Sequence, residues 1–389
     1  MRYISLLISI CFSLGNVSAQ DIPSLTNLNY INTAVTFLQF SPDGRAFGMG
    51  ESGVATSADA YSINWNTSKL ALTTKKTEIG VSVSNWLDGS DKMNYLNFSG
   101  YTKLDKRHTL STSLTYFGIG NNLKPQATFN LREYEFTGGY AFQLADRIGI
   151  GINMKGIYSN LPKNVIGIST QEKLREWAIA SDISFIYVND DISLKKWPAQ
   201  LSFGLNISDL GNKLNYTNGY NPMFLPANLK IGTAYEIDFK NHKRLCIALD
   251  FNKLLVPTPP VYSETGAILS GIDPNTGIVK GLIQSFYDAP GIVIQNSAGI
   301  ETIQKNSRLR EELNEITIGG GLEYVTNKWF LARLGYFYEH KSKGERQYFT
   351  LGFGLTLKDR VGIDFSYLVP VTDSDLLIPS SRLSINFSL

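Results

Sequence analysis

The sequence contains little cysteine and little histidine, with two cysteines and three histidines in 389 residues. The cysteines are Cys11 and Cys246, and Cys11 falls within a predicted signal peptide. The one remaining thiol can form neither an intrachain disulfide nor a cysteine metal cluster. The histidines lack the H-E-x-x-H spacing, and the sequence has no P-loop. We therefore expect no metal, no cofactor and no catalytic site, and predict that the chain is not an enzyme.

Long apolar runs are also scarce. Beyond the N-terminus, no segment approaches the roughly 20 apolar residues that a membrane-spanning helix needs. The mean hydropathy is −0.08 and the formal net charge is +2, which favours neither a helical membrane protein nor a nucleic-acid-binding protein. An exported chain of this kind can still cross a membrane as a closed β-barrel, because its backbone polar groups then bond between strands.

The first 19 residues are typical of a secretory signal peptide. Arg2 supplies the positive charge, and Ile4–Leu14 forms a short apolar core. Val17-Ser18-Ala19 fits a cleavage site that would leave Gln20 as the first mature residue. The sequence therefore predicts an exported protein.

Apolar residues alternate with small or polar residues from residue 77 to the C-terminus. The pattern is clearest in residues 229–238, 245–252, 349–357 and 361–367. In an outer-membrane barrel, this alternation places apolar side chains towards lipid and the others towards the lumen. We predict an all-β fold, a transmembrane antiparallel β-barrel of about 14 strands over residues 77–389. A soluble β-sandwich is the alternative, but it would not readily give so many amphipathic runs.

The lengths of the predicted connections alternate along the barrel. The predicted strands begin near Thr77, Met93, His108, Arg132, Arg147, Glu176, Gln200, Ala227, Arg244, Asn314, Trp329, Arg346, Val361 and Arg382. Short connections such as Asp105–Arg107 and Lys358–Asp359 alternate with long ones such as Pro257–Leu313. Bacterial barrels have short periplasmic turns and longer outer loops, so we expect the long loops to face the extracellular side.

Residues 20–76 are predicted to form an N-terminal segment whose centre, Phe37–Leu72, is a plug inside the barrel. Glycines and other small residues cluster there, and glycine permits close backbone approach. The residues expected to pack the plug are Arg45, Gly48, Met49, Gly50, Gly53, Trp65 and Asn66. Gly48–Gly53 also matches G-x-G-x-x-G, but no strand–helix unit surrounds it, so a dinucleotide site is not predicted.

Charged residues within the predicted strands are expected to face the lumen, because a charge facing lipid is costly. They are Glu133, Glu135, Asp182, Glu236, Asp238, Asp250, Glu323, Glu339, Asp364, Lys155, Lys230 and Arg333. We expect these residues to line a wet interior and to hold the plug; a selective solute pathway is the alternative. Arg45 is predicted to pair with one of the carboxylates, and Cys246 to face inward.

The longest connection, Pro257–Leu313, is predicted to contain a short amphipathic helix capped by Asn275 or Thr276. The candidate residues for binding a partner or cargo are Val279, Leu282, Ile283, Phe286 and Tyr287. Exposed apolar faces often mark interaction sites. The alternative is that this apolar face folds back over the mouth of the barrel.

The plug and the second half of the chain share short motifs with a known family. In the plug they are Phe37-Leu38, Ser41-Pro42-Asp43, Arg45-Ala46, Gly48-Met49-Gly50, Gly53-Val54-Ala55-Thr56-Ser57, Asp59-Ala60 and Trp65-Asn66. Later motifs are Ser285, Asp288-Ala289-Pro290-Gly291, Glu311-Glu312-Leu313, Gly335-Tyr336-Phe337-Tyr338-Glu339-His340-Lys341 and Phe365-Ser366-Tyr367-Leu368. In these motifs the chain resembles PorV-type outer-membrane proteins of the type IX secretion system, which are relatives of FadL-type barrels. Thr67 stands where similar proteins usually have proline.

The resemblance implies a protein carrier in the outer membrane of a Bacteroidetes-type Gram-negative bacterium. Such a carrier binds the C-terminal domains of exported cargo at the translocon barrel. It passes them to a surface attachment complex that includes a sortase-like PorU-type protein. The resemblance also implies contact with outer-membrane lipid and lipopolysaccharide, and no nucleic-acid partner.

Two other functions remain open from the sequence. A FadL-like passive pathway for hydrophobic solutes would favour an apolar lumen, whereas the predicted lumen is charged. An outer-membrane lipid hydrolase would need a nucleophile and a base on the lipid-facing side, and the sequence places no base there.

Overall fold

Fourteen antiparallel strands close into one barrel. The computed structural model describes residues 29–86, 92–120, 130–162, 173–216, 222–263, 266–295, 301–327, 329–371 and 380–389. The barrel strands are β1 (Thr77–Trp86), β2 (Lys92–Lys103), β3 (His108–Gly120), β4 (Asn130–Ala145), β5 (Ile148–Pro162), β6 (Lys173–Leu194), β7 (Trp197–Gly211), β8 (Asn228–Phe239), β9 (Lys243–Leu254), β14 (Ile316–Thr326), β15 (Phe330–Tyr338), β16 (Gln347–Leu357), β17 (Val361–Pro370) and β18 (Ser380–Ser388). The predicted all-β barrel and its strand number are confirmed. The predicted signal peptide lies outside the described residues.

Shorter elements occupy the N-terminal segment and the loops. Strands β10 (Val261–Tyr262) and β11 (Ile268–Ser270) pair with each other, as do β12 (Val293–Gln295) and β13 (Glu301–Ile303). The α-helices are α1 (Gly44–Phe47), α2 (Ile278–Gln284) and α3 (Arg308–Asn314), and the 3-10 helices are Thr36–Gln39, Ser62–Asn64, Thr67–Leu72 and Lys341–Lys343. None of the helices in the described part of the chain is long and apolar enough to cross a membrane.

Side chains of the barrel strands alternate between the lumen and the outer surface. On β16, Phe349 and Phe353 are 47% and 53% exposed, whereas Tyr348 and Thr350, which flank Phe349, are buried. Neighbouring strands repeat the pattern, with Leu334 of β15 and Phe365 of β17 also exposed. The outer surface of the barrel is therefore apolar, as the alternation predicts for a lipid-facing wall.

The two ends of the barrel differ in their connections. The short-turn end has connections of two to four residues, namely 104–107, 146–147, 195–196, 240–242, 327–329 and 358–360. The long-loop end carries the longer connections, among them residues 255–315 between β9 and β14. This is the alternation that the sequence predicts.

Aromatic side chains mark both edges of the apolar wall. Near the long-loop end, Tyr116, Tyr134, Tyr158 and Trp177 form successive ring contacts across β3 to β6, with centroids 4.7–6.1 Å apart. Near the short-turn end, Trp197 packs on Phe239 and Trp329 on Phe330. Such girdles are typical of the two membrane interfaces of a barrel.

The N-terminal segment passes along the barrel from one end to the other. Its first described residue, Asn29, donates its backbone N–H to the carbonyl of Ser342 at the long-loop end. At the other end, the carbonyl of Lys76 accepts a bond from the N–H of Lys103, close to the β2–β3 turn. Since buried residues of the segment contact inward-facing side chains in between, we infer that it fills the barrel interior as a plug.

Candidate functional site

The N-terminal segment bonds to strands on all sides of the barrel. Its contacts are Gly44 N to Ser384 Oγ on β18 (2.7 Å), Gly50 N to Thr350 Oγ1 on β16 (3.0 Å), Gly53 N to Asp250 Oδ2 on β9 (2.8 Å), Asn66 Nδ2 to Phe185 O on β6 (3.1 Å), Thr67 Oγ1 to Asn153 Oδ1 on β5 (2.7 Å) and Asn64 Nδ2 to Ser99 Oγ on β2 (3.0 Å). Most of these bonds are buried, and a buried polar group is costly unless it is bonded. The contacts therefore fix one position of the segment inside the barrel.

Arg45 joins the segment to the barrel wall through an ion-pair network. Its guanidinium donates two bonds to Glu323 of β14, at 3.0 and 3.1 Å, and one to Asp59 at 3.1 Å. Glu323 also accepts a bond from Arg333 of β15 at 2.7 Å, and Arg333 bonds Asp364 of β17 at 2.6 Å. Positive and negative groups thus alternate across three strands and the segment. Arg45 thus pairs with a lumen carboxylate, as predicted, and that carboxylate is Glu323.

The glycines around α1 allow backbone to lie directly against backbone. Gly50 adopts φ 66°, a conformation that favours glycine. A Cβ added to Gly335 of β15 would lie 2.0 Å from the nitrogen of Gly50, and one added to Gly321 of β14 would lie 2.4 Å from the carbonyl oxygen of Met49. The wall glycines are therefore as necessary for this contact as Gly50 itself.

Trp65 closes a second contact within the segment. Its indole N–H donates to Asp43 at 2.7 Å, and the other oxygen of Asp43 accepts the backbone N–H of Ala46 at the start of α1. A Cβ on Gly53 would lie 2.5 Å from the Trp65 ring, so only glycine fits there. The ammonium group of Lys230 on β8 lies over the Trp65 ring, 4.9 Å from the ring centroid.

Asn66 and Thr67 anchor the last 3-10 helix of the segment. The side chain of Asn66 accepts the N–H of Ser68 and donates to the carbonyls of Val54 and Phe185. Thr67, which stands where proline is usual in similar proteins, donates its hydroxyl to Asn153 of β5 at 2.7 Å. The threonine therefore adds a barrel contact that a proline lacks.

Most of the predicted lumen residues lie in the interior. Glu133, Glu135, Asp182, Glu236, Asp250, Glu323, Glu339, Lys155 and Arg333 are buried, and Asp364 and Lys230 are partly buried. Asp238 differs: it is exposed, because it lies at the end of β8 beside the turn to β9. Cys246 is buried against Met49 and Ala55 and so faces inward.

The interior also contains an apolar region that the sequence analysis did not predict. Near the long-loop end, Phe37 stacks on Phe117 of β3 with centroids 5.8 Å apart, and Phe40 meets the same ring edge-on at 5.5 Å. Tyr95, Ile157 and other inward-facing residues complete the cluster. The chain's own N-terminal residues thus fill an apolar part of the lumen.

The long loop presents an exposed apolar face. Val279, Ile283, Phe286 and Tyr287 are 71%, 59%, 51% and 56% exposed, whereas Leu282 is partly buried. Four of the five predicted residues are therefore exposed, and only Leu282 packs partly towards the barrel. The predicted cap is wrong: Gly277 is the N-cap of α2, and neither Asn275 nor Thr276 caps it.

Helix α2 ends before the last predicted members of its apolar face. It covers seven residues, and Phe286 and Tyr287 follow it in a turn. The opposite side of α2 packs inward: Gln284 is buried, and a Cβ on Gly281 would lie 2.7 Å from the Phe224 ring. This packing holds the apolar side chains outward.

Buried charges fix the long loop to the strands beneath it. Lys253 of β9 bonds Glu315 at 2.6 Å and Glu312 at 3.2 Å, and Lys343 bonds Glu315 at 3.0 Å and Glu311 at 3.1 Å. Burial by itself raises the pKa of Glu315. The ammonium groups of Lys343 and Lys253 outweigh that effect and hold the pKa of Glu315 below its usual value. Glu311 and Glu312, part of a family-like motif, thus have a structural role that sequence reasoning did not assign.

Asp288 is a second buried anchor of the loop. Its carboxylate accepts bonds from Thr258 N at 3.1 Å and Gln284 Nε2 at 3.2 Å. Burial raises the pKa of Asp288 to about 6, and the charges of Glu315 and Glu312 act in the same direction. The turn after α2 therefore rests on a buried carboxyl group whose pKa is raised.

The histidines lie apart from one another. His108 begins β3, His242 lies in the β8–β9 turn, and His340 precedes the 3-10 helix Lys341–Lys343. Within the described residues, no group of three or more His, Cys, Asp or Glu side chains could hold a metal ion.

Comparisons with solved structures return barrels of low similarity. The toluene transporter TbuX of Ralstonia pickettii is 12% identical, with 90% of this chain and 97% of that chain covered and a TM-score of 0.49. The toluene transporter TodX of Pseudomonas putida is 10% identical, with 92% and 98% covered and a TM-score of 0.46. A FadL homologue of Pseudomonas aeruginosa is 9% identical, with 92% and 99% covered and a TM-score of 0.43. Likeness at this level carries no inference about function.

Comparison with protein families gives a definite result. No curated protein matches the chain. The profile of the family described as "Type IX secretion system protein PorV" matches residues 24–261. That match covers more than half of the chain, including the plug region and strands β1 to β9. The chain therefore belongs to the PorV family of the type IX secretion system, and it is an outer-membrane barrel of that family.

Proposed function

We propose that this barrel is a carrier for proteins exported by type IX secretion. It binds the C-terminal domains of exported cargo, receives them at the translocon barrel and passes them to the surface attachment complex with its sortase-like PorU-type protein. In this proposal the long-loop end faces the outside of the cell. Family membership supports the assignment to secretion.

The observation that carries the proposal is the exposed apolar surface of the long loop, formed by Val279, Ile283, Phe286 and Tyr287 on α2 and the turn after it. Val279, Ile283 and Phe286 are each more than half exposed, and the loop that carries them is held by Lys253 and Lys343. A rigid, exposed apolar surface loses little conformational entropy on binding, so it suits a docking platform. Apolar residues four positions apart on a helix, as Val279 and Ile283 are, commonly fit a groove in a partner, and Phe286 adds an apolar side chain in the turn that follows.

The filled lumen supports a role outside the pore. The plug residues bond to strands around the barrel, and Phe37 and Phe40 occupy the apolar part of the interior. A solute crossing the barrel would have to displace these contacts. We therefore place cargo binding on the loop surface rather than in the lumen.

Replacing two exposed anchors tests the proposal. The variant Ile283→Ser/Phe286→Ser should leave a heat-modifiable barrel, because both side chains are more than half exposed. Each large apolar anchor is worth at least about 1–2 kcal/mol in such contacts, or roughly tenfold in affinity. Recovery of cargo and of secretion partners with the tagged barrel should therefore fall by at least tenfold, and surface-attached cargo should fall with it.

A matched control uses apolar residues of the same loop on another element. Tyr262 and Leu269 lie on the β10–β11 hairpin and are also more than half exposed. Tyr262→Ser/Leu269→Ser should leave cargo recovery close to that of the parent chain. Two results would exclude the exposed surface around α2 as the docking site. One is an equal loss of cargo recovery in both double variants, and the other is normal cargo recovery in Ile283→Ser/Phe286→Ser.

A further inference from the structure

The short-turn end of the barrel carries an excess of positive charge. Its turns and the residues just before β1 contain ten Lys or Arg and three Asp among the described residues. The ten are Lys75, Lys76, Lys106, Arg107, Arg147, Lys195, Lys196, Lys240, Lys358 and Arg360, here called the basic collar. All are exposed except Arg147, which is partly exposed. The chain as a whole has a net charge of only +2, so this end is distinctly more basic than the rest.

Two members of the collar are paired within the chain. Lys75 bonds the buried Glu78 at 3.2 Å, and Arg147 pairs with Asp190 and Asp191. The lysines of the β6–β7 and β8–β9 turns project as exposed groups. The collar therefore keeps most of its positive charge at the surface.

The collar runs around the barrel rather than along one side. Its residues come from the segment before β1 and from the β2–β3, β4–β5, β6–β7, β8–β9 and β16–β17 turns. These positions are spread over the closed strand order. A globular partner would cover one sector of such a ring, whereas a planar surface meets all of it.

Aromatic side chains place the collar at the edge of the apolar wall. Trp197 packs on Phe239 with centroids 5.5 Å apart, and Lys196 lies over the Trp197 ring at 5.2 Å. Trp329 and Phe330 pack at 6.0 Å at the same end. Because tryptophan and its aromatic neighbours sit at the level of lipid headgroups, the adjoining lysines reach the same level.

We propose that the basic collar binds the phosphate groups of anionic phospholipids in the leaflet that borders the short turns. Lysine ammonium groups bind phosphate as mobile point charges, which suits headgroups that exchange around a barrel. Clusters of Lys and Arg beside a membrane attract anionic lipid through the surface potential, and salt weakens the attraction. The collar thereby sets the depth and the lipid surroundings of the barrel. This binding does not depend on the proposed carrier role.

Lipid selectivity of the reconstituted full chain tests this proposal. Spin-labelled phosphatidylglycerol and phosphatidylcholine report how strongly each lipid associates with the barrel surface. The parent chain should prefer phosphatidylglycerol several-fold at low salt, and the preference should shrink towards unity at high salt. The variant Lys106→Gln/Lys195→Gln/Lys196→Gln/Lys240→Gln should lose most of it while remaining heat-modifiable.

The control variant removes four positive charges from the long-loop end. Lys280, Lys305, Arg310 and Lys341 are all exposed there. Replacing all four with glutamine should leave the lipid preference unchanged. A parent chain without preference, or a collar variant that keeps the preference, would overturn the proposal. Recovery of an acidic periplasmic protein by the collar, without any lipid preference, would overturn it in favour of a protein partner.

Discussion

Arg45 lies between two carboxylates of different origin, Asp59 of the N-terminal segment and Glu323 of the barrel wall. The Glu323 side chain is 1% exposed and that of Arg45 is 13% exposed. Removing one member of a buried ion pair leaves the other charge without compensation, which costs about 3–5 kcal/mol. The pair therefore matters more for fixing the plug than an exposed pair would.

We expect Arg45→Ala to lower the stability of the barrel by up to about 3–5 kcal/mol, because Asp59 would lose this ion pair and the buried Glu323 would keep only Arg333. The measurement is the denaturant midpoint for loss of the heat-modifiable form in detergent. Arg310→Ala, which removes an exposed arginine of α3, is the control and should leave the midpoint unchanged. An unchanged midpoint in Arg45→Ala would mean that the pair does not hold the segment.

Single residues also show where sequence reasoning reaches its limit. The positive charge of Arg45 among small residues is visible in the sequence, and so is the need for a carboxylate partner. The choice of Glu323 is not visible, because it depends on the register of β14 against the plug. Gly277 as the cap of α2 was missed because Asn275 and Thr276 have the better capping side chains. Asn275 instead donates its backbone N–H to Asp273 in a local turn.

The long loop shows how packing among short elements fixes an exposed surface. Asp288 holds the turn after α2 through Thr258 and Gln284, and its Oδ1 has no hydrogen-bond partner among the described residues. Burial raises its pKa to about 6, so the folded loop favours the protonated carboxyl. The stabilisation from this group is complete below its ordinary pKa of 3.8 and is lost as the pH rises through about 6.

We therefore expect hydrogen exchange of the α2 amides to be slower below pH 6 than above it, after correction for the intrinsic pH dependence of exchange. Asp288→Asn should abolish this pH step, because asparagine does not ionise. Asp273→Asn, at an exposed position of the same loop, should retain the step. Persistence of the step in Asp288→Asn would assign it to another group.

At the scale of elements, period-two alternation located all fourteen barrel strands to within a few residues. It worked because one face of each strand meets lipid and the other meets the plug. The same reasoning missed β10 to β13 and α3, since these short loop elements are stabilised by contacts such as Lys253 with Glu315 rather than by a repeating pattern. It also missed the apolar cluster around Phe117, because inward aromatics can be recognised only once the opposing plug residues are placed.

The whole molecule has two different ends joined by the N-terminal segment. Tyr30 is 52% exposed at the long-loop end, and Lys75 is exposed at the short-turn end. Between them the segment bonds to the strands and fills the interior. If the long-loop end faces outward, one segment joins the cell surface to the periplasmic side.

Thiol labelling of intact cells tests this arrangement. In a Cys246→Ser background, Tyr30→Cys should react with a membrane-impermeant reagent, whereas Lys75→Cys should react only after the outer membrane is opened. Cys246 itself should stay unreactive, because it is buried against Met49. Labelling of Lys75→Cys in intact cells, with Tyr30→Cys protected, would reverse the proposed orientation.

The central claim is that the exposed face of α2 binds exported cargo. Its most direct test is the affinity of an isolated cargo C-terminal domain for the purified barrel in lipid nanodiscs, compared between the parent chain and Ile283→Ser/Phe286→Ser. The claim predicts saturable binding by the parent chain, weakened at least tenfold in the double variant and unchanged in Tyr262→Ser/Leu269→Ser. Equal affinity for the parent chain and the α2 variant, or no binding by the parent chain, would contradict it.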